Sequence, residues 1–439
     1  MIAPAARVVP AAPPAPVRDS LTLVEIFLFA LVLIPAKLVF KPLGAAGTPA
    51  AIIALAGLAI WFGNWLSPYS GVPRSRHQPI RYAIAIWAAA VIVSYLAAGL
   101  GFVPPSELGS ADRGLIALGA WSGIALMVAD GFSDPDRLNA LMRRITLAMS
   151  VLAGIGMLQF FTGFDITPLL KIPGLSVNEP LALINERSSF RRVAGTAGHP
   201  IEFGVVLAMA FPIALHVAFT APKGRGFWRW LGAGMIGVAI PMSLSRSAIL
   251  GLLAAALVLL PTWPRQRLLR TLMILPVLLV GMRFAIPGLL GTIKSLFTGI
   301  ASDPSIQGRT DDYAVIGRFI ADSPVIGRGF GTFNPADYVL LDNQYLGVLI
   351  EMGGFGLFAL ILLFLVGVFT ARGARRRSSR DDTRELSQCL AASVIVAMVG
   401  FVTFDAFAFP MATSMTFLMI GCAGAAWRIS VDAEAAHGR

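Results

Sequence analysis

The stretch "YVLLDNQYLGVLIEMGGFG", Tyr338–Gly356, has the body of a membrane helix and the mouth of a polar site. Asp342, Asn343, Gln344 and Tyr345 stand in a row, and the run that follows is apolar except for Glu351. Asp342 and Glu351 are nine positions apart, so at about 100° per residue they face opposite sides of a helix and form no acid–base pair. Gln344, Gly347 and Glu351 share a face. Glu351 lies about two and a half turns beyond Asp342. A carboxylate at membrane depth needs a partner, so Glu351 reads as a structural, site-supporting group. Asp342 carries two readings: an N-cap, for which Asp is a preferred residue, or a general base at the membrane surface.

The rest of the chain fits a membrane setting. Of 439 residues, 56% are hydrophobic and 13% charged, with a mean hydropathy of +0.75. Soluble domains carry about 25% charged residues. The expected fold class is an all-α, polytopic integral membrane protein. The net charge of +11 then marks cytoplasmic loops rather than nucleic-acid binding. Cys389 and Cys422 lie in apolar segments, and the histidines His77, His199, His216 and His437 are scattered. No HExxH or CxxC spacing occurs, so the sequence offers neither a metal motif nor a cofactor motif.

A spanning helix needs about 20 apolar residues. Twelve segments qualify: 21–40, 48–66, 80–100, 113–130, 143–163, 200–219, 228–245, 247–262, 268–288, 341–369, 388–408 and 411–428. The organisation expected is a disordered tail at 1–20, one transmembrane domain at 21–428, and a tail at 429–439. The first span reads as a retained signal anchor, since no small-residue cleavage site follows it. With a cytoplasmic N-terminus, the basic loops at Arg74–Arg81, Arg137–Arg144, Lys223–Arg229, Arg265–Arg270 and Arg372–Arg384 all fall on the cytoplasmic side, as the positive-inside rule requires. The C-terminus is then cytoplasmic too. Two long extracytoplasmic loops remain, 164–199 and 289–340, each expected to hold short amphipathic helices.

Some arginines oppose that rule. Arg187, Arg191 and Arg192 lie in the first long loop, Arg246 in the turn "SLSRSA", and Arg309, Arg318 and Arg328 in the second long loop. A guanidinium offers planar, bidentate donors that match phosphate oxygens. Several of them at one membrane face suggest a bound diphosphate; snorkelling or salt bridges to Asp311, Asp312 and Asp322 would be the plain alternative. From Arg309 to Asp322 the spacing of Tyr313, Val315, Ile316, Phe319 and Ile320 predicts an amphipathic interfacial helix. Gly327, Gly329 and Gly331 after it indicate tight turning rather than a phosphate loop. His199 precedes Pro200 at the start of a span; it reads as a helix cap, with a substrate-binding or proton-accepting role as the alternative.

These outer motifs, "RRVAGTAGHPIEFG", "SLSRSA", "GRTDDYAVIGRFIADSPVIGRGFGTF" and "DNQYLGVLIEMGGFG", resemble those of the O-antigen ligase and polysaccharide polymerase superfamily, in the same order, over about Phe190–Phe358. Members typically read His-Asn-x-Tyr-Leu-x-x-Leu-x-Glu-x-Gly. Asn343, Tyr345, Leu346, Leu349, Glu351 and Gly353 match, and Asp342 replaces the histidine. The resemblance implies a cytoplasmic (inner) membrane enzyme. It would transfer a glycan from an undecaprenyl-diphosphate carrier to an acceptor hydroxyl on the outer face, inverting, without metal or cofactor. It implies that Asp342, Arg246 and Arg309 are catalytic. Arg191, Arg192, Arg318, Arg328, His199, Asn343 and Tyr345 would bind the lipid diphosphate or glycan. The partners expected are the lipid-linked donor, a glycan or lipid-glycan acceptor and the bilayer, with no nucleic acid. A repeat-unit polymerase shares the donor and is the alternative within the family. A secondary transporter is the alternative outside it, disfavoured because the polar groups gather at one face rather than at the midplane.

Overall fold

The computed structural model describes residues 20–67, 77–178, 185–187, 190–298, 316–335 and 337–437. Its helices are α1 (Leu21–Leu33), α2 (Pro49–Leu66), α3 (Pro79–Ala97), α4 (Pro105–Gly131), α5 (Pro135–Thr162), α6 (Pro200–Phe219), α7 (Gly226–Met242), α8 (Arg246–Leu259), α9 (Arg265–Ala285), α10 (Leu289–Thr298), α11 (its described part, 316–322), α12 (Gln344–Arg377), α13 (Asp381–Gly400) and α14 (Pro410–His437). Six of them begin on a proline, at α2, α3, α4, α5, α6 and α14. The missing N–H costs nothing at that position and φ is preset for the helix. Among the described residues, strands are limited to two short antiparallel pairs, β1 (Leu38–Val39) with β2 (Ser176–Val177) and β3 (Asn185–Arg187) with β4 (Phe190–Arg192). The protein is an all-α polytopic membrane protein.

Each of the twelve predicted segments contains a helix, but among the described residues eight helices are long and apolar enough to cross a membrane by themselves: α2 to α6, α9, α12 and α14. Helix α1 stops after 13 residues, well short of the expected end at 40. Pro35 cannot continue a helix, and the chain turns into β1 instead. Helix α8 has 14 residues and α7 has 17. Helix α13 opens on Asp381 and Asp382 and ends at Gly400, not at 408. Helix α14 continues to His437 through the segment read as a tail. The fully buried Arg428 in α14 explains this: its guanidinium donates to the Asp130 carbonyl and lies near Asp432 one turn on.

The helices sort their connections between two ends. One end gathers the described parts of the long connections 163–199 and 286–343, where Phe190 packs against Gly288, together with the shorter ones. Strand β1, after α1, pairs with β2, and the Gln344 N–H donates to the Phe401 carbonyl at 2.9 Å. The opposite end carries ion pairs between basic loops and helix ends, as in Arg267–Glu385 at 2.7 Å and Arg377–Glu434 at 3.1 Å. The main apolar core runs between the ends, with Trp87, Phe203, Phe364 and Phe417 fully buried in it, and a smaller cluster of Ile316, Phe333, Leu341 and Ile350 lies beside it.

Candidate functional site

The site lies at the loop-rich end and is built from helix starts. Helices α7 and α8 are joined by Ser243, Leu244 and Ser245 alone. Leu244 is fully buried at φ +48°, in the left-handed region. A bulky residue there stores about 1–3 kcal/mol of strain and persists only where surroundings enforce it. The turn is enforced from α6: Gly204 lets Ser243 and Ala248 approach so closely that a Cβ would stand 2.5 Å from Ser243 Oγ and 2.6 Å from Ala248 Cβ. Ser245 then caps α8, its hydroxyl accepting from the Ala248 N–H at 3.4 Å. Arg246 follows as the first helical residue, half-buried.

At the start of α12 the cap is Asn343, whose Oδ1 accepts from the N–H groups of Tyr345 (3.0 Å) and Leu346 (3.4 Å). Asp342 is therefore not the cap, which corrects one of its two readings. Gln344 clamps the 401–409 connection, since its backbone donates to Phe401 and its Oε1 accepts from the Phe407 N–H at 2.7 Å. The Tyr345 hydroxyl donates to the Met398 carbonyl at 2.9 Å. Asn343 and Tyr345, expected among the substrate-binding residues, thus both make bonds within the fold. The clamp brings Asp405 beside Asp342. Burial, and then the Asp342 charge, push the Asp405 carboxyl up to about 7.

His199 caps α6, its Nδ1 accepting from the Ile201 N–H at 3.2 Å. Burial, then the charges of Arg192 and Lys37, pull the imidazole down to about 4 against an opposing pull from Asp342. Alternation along β4 separates the two adjacent arginines. Arg192 acts on His199, while Arg191 is exposed and packs its guanidinium on Gly163 at the end of α5. One turn into α6, the fully buried Glu202 ties the site together. Its Oε2 accepts from the Gly198 N–H at 2.6 Å, and its Oε1 accepts from the N–H groups of Met411 (2.7 Å) and Ala412 (3.1 Å) at the start of α14.

Helix α12 is broken at Gly353, φ +62°, and the turn after α11 fills the break. The N–H groups of Arg328 and Gly329 donate to the carbonyls of Ile350 (3.1 Å) and Glu351 (2.8 Å), and the Gly354 N–H donates back to Pro324 at 2.8 Å. Only glycine fits such an approach: a Cβ on Gly327 would lie 2.2 Å from the Glu351 backbone. The Glu351 carboxylate accepts from the Phe333 N–H at 3.0 Å, so it holds the turn in place. Arg328, next in the turn, pairs with Glu107 of α4 at 2.6 Å and with the Tyr338 hydroxyl at 2.7 Å, its guanidinium 4.5 Å from the Tyr338 ring centroid.

Of the predicted site residues, the charges of Asp342 and Arg192 reach His199, and Arg246 follows the turn that packs on Gly204 of α6. Arg318 is exposed on α11, and Arg328 is held by Glu107. Arg309, with the first part of the predicted amphipathic helix, lies outside the described residues; the helix is present over 316–322. Three groups escaped the sequence reading: Lys37, Glu107 and Asp405. Asp405 had the clearest signal, a lone acid in an apolar run.

Residues 230–361 match the family model described as O-antigen ligase. No curated protein matches the chain. The matched segment holds Arg246, the break in α12 at Gly353, the turn that fills it, and Asp342. Over these residues the chain is similar to the O-antigen ligase family.

Proposed function

We propose that the protein is a ligase-type glycosyltransferase. It moves a glycan from an undecaprenyl-diphosphate carrier to an acceptor hydroxyl, with inversion. The observation that carries this reading is the convergence of a carboxylate, Asp342, with cationic residues at one end of a membrane bundle whose matched segment is an O-antigen ligase domain. The site end faces the extracytoplasmic side of the cytoplasmic membrane, and both termini face the cytoplasm. The basic ion-paired loops at the opposite end support that orientation.

In the reaction the acceptor oxygen attacks the anomeric carbon as the bond from that carbon to the phosphate oxygen breaks. Asp342 takes the hydroxyl proton. The polyprenyl diphosphate departs with the electron pair, its charge balanced by Arg246, Arg309 and Arg192. Such preorganised cations stabilise charge where it develops, and a diphosphate so neutralised needs little acid catalysis. Asp342 stands at the histidine position of the motif that the sequence resembles, and a carboxylate serves the same proton-accepting role. Arg328 and Glu351 support the site by fixing the turn between α11 and α12.

The test is purified protein with lipid-linked oligosaccharide and candidate acceptors, the products read by mass. One glycan per acceptor supports a ligase, and a ladder of repeat units would replace it with the polymerase reading. Absence of any transfer, together with carrier-independent uptake into vesicles, would overturn both.

A further inference from the structure

His199 has a fixed tautomer. Its Nδ1 accepts the Ile201 N–H at 3.2 Å, so Nδ1 bears no proton and the neutral ring holds its hydrogen on Nε2. A ring in that state offers the site a donor rather than a base.

Lys37 reaches the same place from the far end of the chain. The connection after α1 is sewn to the loop before α6: the Ala36 N–H donates to Thr196 at 2.9 Å, the Asn178 N–H to the Lys37 carbonyl at 3.0 Å, and Leu38 pairs with Val177. The Lys37 side chain lies along Gly198, its Cε 3.9 Å from where a Cβ would stand. Gly198 is the residue before His199. Arg192 arrives from β4, and its charge also reaches the ring. The charges of Lys37, Arg192 and Asp342 all reach the imidazole, Glu202 lies one turn into α6, and the Phe409 ring, from the α13–α14 connection, has its centroid 5.7 Å from that of His199. The two cations and burial hold the ring neutral through the ordinary range, which keeps the Nε2–H donor present at neutral pH.

We infer that Lys37, Arg192 and the Nε2–H of His199 form a phosphoryl-oxygen site, with His199 acting as a neutral hydrogen-bond donor and not as the base. This rests on the transfer reading above. An ammonium supplies three donors, a guanidinium a planar fork and the imidazole one further N–H. Anionic oxygens are the chemistry such a set recognises. The phosphoryl group belongs either to the lipid diphosphate of the donor or to a phosphate carried by the acceptor.

The variants are Lys37→Met, Lys37→Arg, His199→Gln and His199→Asn. The purified proteins are checked by thermal unfolding, and farnesyl diphosphate serves as a soluble binding probe. Lys37→Met should weaken farnesyl diphosphate about 10- to 100-fold, the worth of one charge-assisted hydrogen bond, and Lys37→Arg should recover most of it. A rise in donor KM assigns the site to the carrier lipid. A rise in acceptor KM, with donor KM and farnesyl diphosphate unchanged, assigns it to a phosphate on the acceptor.

His199→Gln keeps an N–H near Nε2 and should retain kcat within about tenfold of wild type, whereas loss of a base costs about 10²–10⁴-fold. His199→Asn keeps the cap acceptor but not the distal donor, so it should fold normally with a raised KM. The inference is overturned if Lys37→Met changes no binding constant, or if folded His199→Gln and His199→Asn both lose kcat by the factor a base commands. Lys37-dependent binding of farnesyl diphosphate by a wild-type protein that transfers nothing would sink the transfer reading alone.

Discussion

Replacing Gly204 by alanine asks whether α6 holds Arg246 in position. The added Cβ would stand 2.5 Å from Ser243 Oγ and 2.6 Å from Ala248 Cβ. Carbon atoms rest about 3.5–4.0 Å apart, so the start of α8 has to retreat by roughly 1 Å. Overpacking of this kind costs about 1–3 kcal/mol, and the better helix propensity of alanine returns about 1 kcal/mol. The net loss of stability is thus small, on the order of 0–2 kcal/mol. A displacement of about 1 Å in a group that positions substrate can cost about 10²-fold in rate. Activity should therefore fall much further than stability. Initial transfer rates from the lipid-linked donor, set beside thermal unfolding in detergent, separate the two effects. Gly234 on α7 has open space where a Cβ would go, so Gly234→Ala is the control and should leave the rate unchanged. Gly204→Ala protein that keeps its rate within about threefold of wild type would show that contact between α6 and α8 does not set the Arg246 position.

Because Asn343 is the cap, Asp342→Asn should leave unfolding unchanged and lower the initial rate about 10²–10⁴-fold; a wild-type rate would remove Asp342 from the chemistry. Asn343→Ala should instead lower stability by about 1 kcal/mol, read in the same unfolding assay. Arg328→Met leaves the Glu107 carboxylate, 8% exposed, buried without its cation and should cost about 3–5 kcal/mol, part of which Arg328→Met with Glu107→Gln restores. If the double change is worse than the single one, the pair is not what anchors the turn. Asp405 gives a pH dependence. Its carboxyl is raised from 3.8 to about 7 in the fold, so between those values the folded state binds more protons than the unfolded one, and stability falls as pH rises through that window. The full effect is at most about 4 kcal/mol. Asp405→Asn should flatten unfolding curves measured between pH 4 and 7, and an unchanged slope would refute the assignment.

The helical segments were legible because the bilayer requires long apolar runs, and the structure puts a helix in each predicted span. Ends were less legible. Hydropathy continues past Pro35 in the first span and past Gly400 in the thirteenth helix, but the helices stop at Leu33 and Gly400. In the first case proline breaks the backbone ladder. In the second the chain turns to bond Gln344, a partner 57 residues upstream of Phe401. Hydropathy registers neither bond geometry nor long-range partners. Asp405 carried a signal, as a lone acid in an apolar run, but hydropathy put it inside a span rather than in the connection where the structure has it.

The site was legible in its residue types and less so in its assignments. A row such as Asp342-Asn343-Gln344-Tyr345 announces a helix start with spare polar groups, but Asp and Asn cap about equally well. One position decides which of the two is left for chemistry. The decision comes from the Gln344 clamp: with Gln344 bound to Phe401 and Phe407, the helix must begin at that residue, and the preceding Asn343 becomes its cap. Asp342 is thereby left outside the helix, where its charge reaches both His199 and Asp405. The arginines obey the same logic. Arg191 and Arg192 are indistinguishable by type, and strand alternation sends one to Gly163 and the other towards His199. Arg328 has the composition of a ligand-binding arginine, but Glu107, 221 positions away, makes it the anchor of the turn that fills the broken α12.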